Sequence, residues 1–187
     1  MNAPRRADAE FNRVRILEAA RAQIAMPGEL RLNAVAKAAG VGQGTLYRHF
    51  PTREDLLAEV YQRDVEQLIA TARVLVAEQD PVEALAAWLD RLADYARVKR
   101  GVLAAVEQSV WHDLSARSHG PIGDALTVLL DAGRAAGAIR PDVDARDVIL
   151  LVGYLTRLDD AEWDRRARFL LKVILDGLRP SPSLRGR

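Results

Sequence analysis

The 187-residue chain contains no cysteine, and this absence excludes several classes of protein. Without cysteine the chain can form neither a disulfide framework nor a thiolate nucleophile. Its apolar runs are too short to span a membrane, and its first residues lack the apolar core of a secretory signal. We therefore expect a cytoplasmic protein that makes no membrane contact.

A large net charge is also missing, because 27 Lys and Arg residues are balanced by 26 Asp and Glu residues. Positive charge is nevertheless concentrated in one segment. Residues 30–53 include no acidic residue, and their four basic residues are Arg31, Lys37, Arg48 and Arg53. A basic segment in a nearly neutral chain is typical of a protein that binds nucleic acid with one end.

The common enzyme signatures are absent as well. The sequence has no Gly-x-Ser-x-Gly motif, no phosphate-binding loop and no metal-ligand spacing. Gly40, Gly42 and Gly44 lack the preceding apolar strand and the following Lys-Ser/Thr of a phosphate loop. His112 and His119 are seven residues apart, a spacing that is wrong for one metal site. We expect no enzymatic activity, no metal and no cofactor.

The most informative segment is residues 32–50, LNAVAKAAGVGQGTLYRHF. Apolar residues recur at three- and four-residue intervals in its first half, which predicts a short helix. Gly40 can adopt the left-handed conformation that ends such a helix. Leu46 and Phe50 lie four residues apart and give a second helix its inward face. Two short helices joined by a tight turn are typical of a helix-turn-helix.

The outward face of the second helix carries groups that suit DNA. These residues are Gln43, Gly44, Thr45, Tyr47, Arg48 and His49. Gln43 can pair with adenine, Arg48 can reach guanine or phosphate, and Gly44 allows a close approach to the groove. The hydroxyls of Thr45 and Tyr47 and the imidazole of His49 suit phosphate oxygens. Lys37 adds positive charge, and Arg53 lies at a helix start that favours anions.

The sequence AVAKAAGVGQGTLYRHFPTREDLLAEVY resembles the DNA-binding segment of the tetracycline-repressor (TetR) family, most strongly over residues 35–61. The resemblance rests on the AGV, GT-x-Y and HF motifs and on the basic-acidic pair before Leu56. It implies an all-helical homodimer that binds a palindromic operator and leaves it when a small ligand binds. It implies base proximity for Gln43, Gly44 and Tyr47, and phosphate contacts for Thr45, Tyr47, His49 and Arg53.

The remaining sequence has helical periodicity and no strand pattern. Helices are predicted at residues 11–24, 52–76, 81–98, 102–114, 121–136, 148–155 and 163–178. Thr52 with Asp55 forms a capping-box variant, and Asp80 followed by Pro81 is a second start signal. A break is predicted at 99–101 and a polar loop at 115–120. The expected fold is all-α with about nine helices.

This pattern predicts a DNA-binding domain at 1–55 and a helical ligand-binding and dimerisation domain at 56–178. Residues 1–10 and the tail 179–187 are expected to be disordered. The helix that begins near Thr52 would link the two domains.

The second domain carries aromatic residues among many aliphatic ones, which suggests an apolar pocket with a few polar groups. The candidate ligand-binding residues are Trp88, Leu92, Tyr95, Val106, Trp111 and Tyr154. The alternative is that these residues form ordinary core, because aromatic residues at helical spacing usually do.

The run VILLVGYL at residues 148–155 is apolar on nearly every side, and such a helix must be covered on every side. A second copy of the chain could cover part of it, with help from the final helix. The predicted dimer interface comprises Val148, Leu151, Val152, Leu155, Leu171, Ile174 and Leu178. The alternative is that both helices only complete the core of one chain.

These observations favour a dimeric, ligand-responsive repressor whose partners are double-stranded operator DNA and a small-molecule effector. Two alternatives remain open. One is a helical scaffold that binds a protein partner, and the other is a DNA-binding protein whose second domain only dimerises. The sequence does not identify the effector, the operator or the regulated genes, and it does not distinguish a repressor from an activator.

Overall fold

The computed structural model describes residues 3–26 and 30–180. These residues form eight α-helices and one short 3-10 helix and include no strand, which confirms the predicted all-α fold. The α-helices are α1 (Ala3–Ile24), α2 (Leu32–Ala38), α3 (Gln43–His49), α4 (Arg53–Glu78), α5 (Pro81–Leu103), α6 (Gln108–Ala135), α7 (Ala145–Gly153) and α8 (Asp160–Gly177). The 3-10 helix, Tyr154–Arg157, follows α7 directly. No helix in the described ranges is both long and apolar enough to cross a membrane.

The chain divides into two compact units. Unit 1 contains the described residues up to Arg63 together with Arg97–Leu114. Unit 2 contains Asp64–Ala96 and the described residues from Ser115 onward. Helices α4, α5 and α6 therefore each contribute residues to both units. The domain boundary at 55/56 stays a prediction, although unit 1 extends beyond it.

Unit 1 is built on the packing of α1 against α2 and of α2 against α3. Ile16 and Val35 are fully buried, and so are Leu56 and Leu57 in the first turns of α4. The start of α4 is fixed as the sequence predicts. The Thr52 Oγ1 accepts a hydrogen bond from Asp55 N–H at 3.0 Å, and the Asp55 carboxylate accepts one from Thr52 N–H at 3.2 Å.

The expected disorder at the N-terminus is wrong for residues 3–10, which form the first turns of α1. Pro4 is tolerated there because the first turn of a helix needs no proline N–H. Arg, Ala and Glu, which follow, are good helix formers. Of the predicted C-terminal tail, residues 181–187 lie outside the described residues.

The break expected at Lys99–Gly101 is also wrong, because α5 continues to Leu103. Gly101 serves packing instead. A Cβ at this position would overlap the Ile24 Cγ2 and lie 2.9 Å from the Ile24 carbonyl oxygen. The missing side chain thus allows α1 to approach α5 inside unit 1.

Replacing Gly101 with alanine should lower the free energy of unfolding by about 1–3 kcal/mol, since the new methyl group overpacks a close contact. Gly123→Ala is the matched control, because its Cβ would meet only the Ile149 Cδ1 at 3.7 Å. That variant should gain about 0.5–1 kcal/mol from helix propensity. Urea denaturation followed by circular dichroism measures both. Equal stabilities for the two variants would contradict the packing role of Gly101.

The polar loop expected at residues 115–120 is helical, because α6 runs through it and includes Pro121. Over residues 115–120, serines form the buried face of α6. Ser115 and Ser118 are buried, and the Ser118 hydroxyl donates to the Ser115 carbonyl at 3.0 Å. Serine hydroxyls that bond back to the helix remove the need for outside partners. A polar composition therefore does not exclude a buried helix.

Unit 2 has a core of aliphatic residues around Trp88, which is fully buried. The Trp88 indole N–H donates to the Leu68 carbonyl at 2.9 Å, so the polar atom of this side chain is satisfied inside the unit. Asp80 caps α5 as predicted, accepting a hydrogen bond from Val82 N–H at 2.9 Å. Helices α7 and α8 pack against each other.

Candidate nucleic-acid interface

The turn between α2 and α3 has the geometry of a tight helix-turn-helix corner. Gly40 has a φ of +63°, a conformation in which other residues are strained. The Val41 N–H donates to the Ala36 carbonyl at 3.0 Å, which closes the end of α2. A Cβ at Gly40 would overlap the end of the Arg15 guanidinium. The positive φ is therefore the reason that glycine is favoured here, because the flexible end of the Arg15 side chain could move away from a Cβ.

Helix α3 is anchored on one side and open on the other. Leu46 and Phe50 are 1% exposed, whereas Tyr47 is 50% exposed. Gln43, Gly44 and Arg48 are exposed, and Thr45 and His49 are half-buried. The predicted DNA-contacting residues on α3 thus lie outside the buried stripe, with a large aromatic side chain and its hydroxyl in the middle. This arrangement presents polar groups to a partner without disturbing the core.

The two remaining predicted contacts differ in exposure. Lys37, at the end of α2, is exposed, and Arg53, at the start of α4, is half-buried. The Arg53 Nε is buried and meets no hydrogen-bond partner within residues 3–26 and 30–180. The Arg48 Nε donates to the Gly44 carbonyl at 3.0 Å, which holds that side chain along α3. In the sequence, basic residues thus occur before α3, on it and after it.

One positioning contact in unit 1 was not predicted. Arg13 on α1 makes a two-fold hydrogen-bonded ion pair with Glu59 on α4, with Nε 2.8 Å from Oε1. The same guanidinium lies 4.9 Å from the centre of the Phe50 ring, at the end of α3. Arg13 thus connects α1, α4 and the end of α3 within unit 1. No local sequence pattern reveals this contact, because its partners are 46 residues apart.

The Arg13–Glu59 pair should contribute a coupling free energy of about 1 kcal/mol to folding, at the upper end for partly exposed pairs. A double-mutant cycle with Arg13→Met and Glu59→Gln, followed by urea denaturation, measures it. The exposed pair of Arg166 and Glu162, at 2.8 Å on one helix, is the control and should give about 0.3 kcal/mol. If the coupling free energy of Arg13–Glu59 is no larger than that of the control pair, the ion pair does not stabilise the packing of α1 against α4.

The predicted ligand-binding residues are divided between the two compact units. Trp88, Leu92 and Tyr95 are buried on α5 in unit 2, whereas Val106 and Trp111 belong to unit 1 and are half-buried. Tyr154 is 72% exposed, which corrects its assignment to an interior pocket. The helix of the apolar run ends just before it, and Arg157 lies 5.4 Å from its ring centre.

The predicted dimer interface is also corrected. Five of its seven residues are buried within one chain: Val148, Val152, Leu155, Leu171 and Leu178. Ile174 is half-buried, and only Leu151 is exposed. The physical reason is that residues 148, 152 and 155 share the inner face of α7 and the 3-10 helix. The prediction treated the run as uniform and did not separate its two faces.

The outer faces of α7, of the 3-10 helix after it and of α8 carry apolar residues that the sequence analysis missed in part. The exposed residues are Leu150 (64%), Leu151 (57%), Tyr154 (72%), Phe169 (62%) and Val173 (51%). We call these five residues the α7–α8 apolar face. Trp163 and Ala167 are buried on the other side of α8. The four-residue spacing of Phe169 and Val173, away from these two positions, was a usable signal for the exposed face.

Two family descriptions match the chain. Residues 16–60 match "Bacterial regulatory proteins, tetR family", and residues 80–180 match "Transcriptional regulator SbtR-like, C-terminal domain". The first match covers the helix-turn-helix, and the second covers more than half of the chain.

Solved structures and curated proteins agree with these matches. A TetR transcriptional regulator from Streptomyces coelicolor is 38% identical with a TM-score of 0.79, covering 90% of this chain and 99% of that one. A TetR regulator from Mycobacterium vanbaalenii is 33% identical with a TM-score of 0.70, covering 94% and 99%. An HTH-type transcriptional regulator of Staphylococcus aureus is 33% identical over 105 residues, 54% of this chain and 57% of that relative. The chain thus spans little more than half the length of the curated relatives it matches.

Proposed function

Because the chain belongs to the TetR family of bacterial transcriptional regulators, we propose that it is a dimeric repressor that binds a palindromic operator and is released by a small molecule. Its site of action is the cytoplasm, where bacterial DNA lies.

The observation that carries the proposal is the exposed face of α3 above a buried anchor. Leu46 and Phe50 hold the helix, while Tyr47 stands half out of the surface. Gln43 and Arg48 are exposed on the same short helix and suit the major-groove edges of adenine and guanine. Thr45, Tyr47 and His49 offer donors to phosphate oxygens. The absence of acidic residues from 30 to 53 removes charge repulsion with the DNA backbone.

We propose that the α7–α8 apolar face is the dimer interface. Five large apolar side chains are exposed on α7, on the 3-10 helix that follows it and on α8, and exposed apolar residues of this kind mark a protein–protein contact. A two-fold arrangement would place α7 and α8 of each subunit against those of the partner and form a four-helix interface. The Cβ of Gly153 would meet nothing within 4 Å, which leaves room for a close approach there.

The two-fold symmetry of the dimer determines the spacing of the operator half-sites. Two recognition helices must lie roughly 34–36 Å apart to enter successive major grooves on one side of the DNA. Helix α4 contributes residues to both compact units. A ligand that displaces α4 would therefore change the spacing of the two α3 helices and lower the operator affinity.

A gel-shift assay tests the proposal. The full chain is incubated with tiled fragments of the intergenic DNA beside its own gene, over a series of salt concentrations. We expect one fragment to shift specifically, with an affinity that falls steeply as salt increases because phosphate contacts release counterions. Binding that is equal for all fragments would count against an operator in this DNA.

A further inference from the structure

A lysine in unit 1 lies in an unusual environment. Lys99, near the end of α5, places its Nζ 5.4 Å from the centre of the Trp111 ring. The Trp111 ring in turn meets the buried Tyr61 edge-on, with 5.3 Å between centres and an angle of 72°. Lys99, Trp111 and Tyr61 thus form a contact cluster across α5, α6 and α4, all within unit 1.

The Lys99 ammonium has no acidic partner among the residues that the structure describes. No carboxylate forms an ion pair with it, and burial alone lowers its pKa below the usual value of 10.5. The opposite case occurs at Arg140, whose guanidinium pairs with Asp142 at 2.7 Å and holds the pKa of that carboxyl down at about 2. Lys99 is half-buried. A charge that is partly withdrawn from water is usually paired, and contact with an aromatic face compensates only partly for lost solvation.

The cluster also offers apolar surface that is not sealed. Trp111 and Val106 are half-buried, and Val106 lies in the short connection between α5 and α6. An apolar group could therefore lie against these side chains while a charged group reaches Lys99. One ammonium is a single point charge without the fork of an arginine, so it suits a monoanion.

We propose that Lys99 and Trp111 form a binding site for an organic monocarboxylate, whose carboxylate pairs with the Lys99 ammonium and whose apolar body packs on Trp111 and Val106. This inference rests on the proposed function and deepens it, because it names the chemical class of the effector. The sequence analysis included Val106 and Trp111 among the ligand-binding candidates. It missed Lys99, because only the fold brings the ammonium to the ring.

The test is a calorimetric titration of the full-length protein with octanoate and with the uncharged isostere octanamide. The wild type should bind octanoate about tenfold or more tightly than octanamide, since a hydrogen bond to a charged group contributes that much. Lys99→Met should remove this preference, and Lys99→Arg should retain it. A merely structural lysine would leave the preference for the carboxylate unchanged in the methionine variant.

Three results would overturn the site. These are equal affinities of the wild type for octanoate and octanamide, octanoate binding unchanged by Lys99→Met, and no octanoate binding up to about 10 mM. The comparison of the two ligands in the wild type needs no variant, so a poorly folded Lys99→Met protein does not block the test.

The gel shift separates this inference from the proposed function. Lys99 lies outside α2 and α3, so Lys99→Met should shift the operator fragment as the wild type does. Both claims are supported if the wild type prefers octanoate, Lys99→Met loses that preference and both proteins bind the operator fragment. If the wild type binds the operator fragment but does not prefer octanoate to octanamide, only the proposed carboxylate site is overturned. A carboxylate preference that depends on Lys99 in a protein without specific DNA binding overturns the proposed function alone.

Discussion

Replacing Tyr47 and His49 together with alanine is expected to lower operator affinity about a thousandfold or more. Each side chain offers a hydrogen bond to a phosphate, worth about 1.5 kcal/mol when the partner is charged. A symmetric dimer loses each contact twice, so four contacts disappear. The fold should survive, because Tyr47 is 50% exposed and the anchors of α3 are Leu46 and Phe50. Fluorescence anisotropy with the shifted operator fragment measures the affinity.

His119→Ala is the control for this variant, because His119 is an exposed histidine of α6 outside the helix-turn-helix. Its operator affinity should equal that of the wild type. Sedimentation velocity should find the Tyr47 and His49 double variant as dimeric as the wild type. Unchanged operator affinity in the double variant would show that α3 does not contact the DNA.

Replacing Leu151 and Phe169 with glutamate should convert the dimer to a monomer and reduce operator affinity at least about a hundredfold. Both side chains are more than half exposed in one chain, so the charges cost little in the monomer. In the dimer four carboxylates would enter an apolar interface without partners, which is strongly unfavourable. Operator affinity falls because each monomer can hold only one half-site.

Val74→Glu is the matched control for the interface variant. Val74 is an exposed valine of α4, 50% accessible, and does not belong to the α7–α8 apolar face. Light scattering after size exclusion should find Val74→Glu dimeric and the double glutamate variant monomeric. A dimeric double variant would place the subunit contact elsewhere on the chain.

Local sequence signals predicted the parts of the fold that local interactions determine. Gly40 marked the corner of the helix-turn-helix because few other residues adopt its positive φ. Thr52 with Asp55 and Asp80 with Pro81 marked helix starts, because a cap involves residues only a few positions apart. The exposed face of α3 followed from the spacing of Leu46 and Phe50.

Features that depend on distant partners could not be read from the sequence. Gly101 resembled a helix end, and only the position of Ile24 shows that it serves packing. The serines of α6 resembled a loop because their burial depends on the other helices. Arg13 and Glu59 are 46 residues apart, and no periodicity connects them. For the same reason the sequence did not identify the inner and outer faces of the run at 148–155.

The most direct measurement of the central claim is a selection of random double-stranded DNA by the purified full-length protein. We predict enrichment of a palindrome whose half-sites are centred about one helical turn apart, and loss of that enrichment in the Tyr47 and His49 double variant. A library that stays random after repeated rounds, or a palindrome that the double variant enriches equally well, would contradict DNA reading by α3.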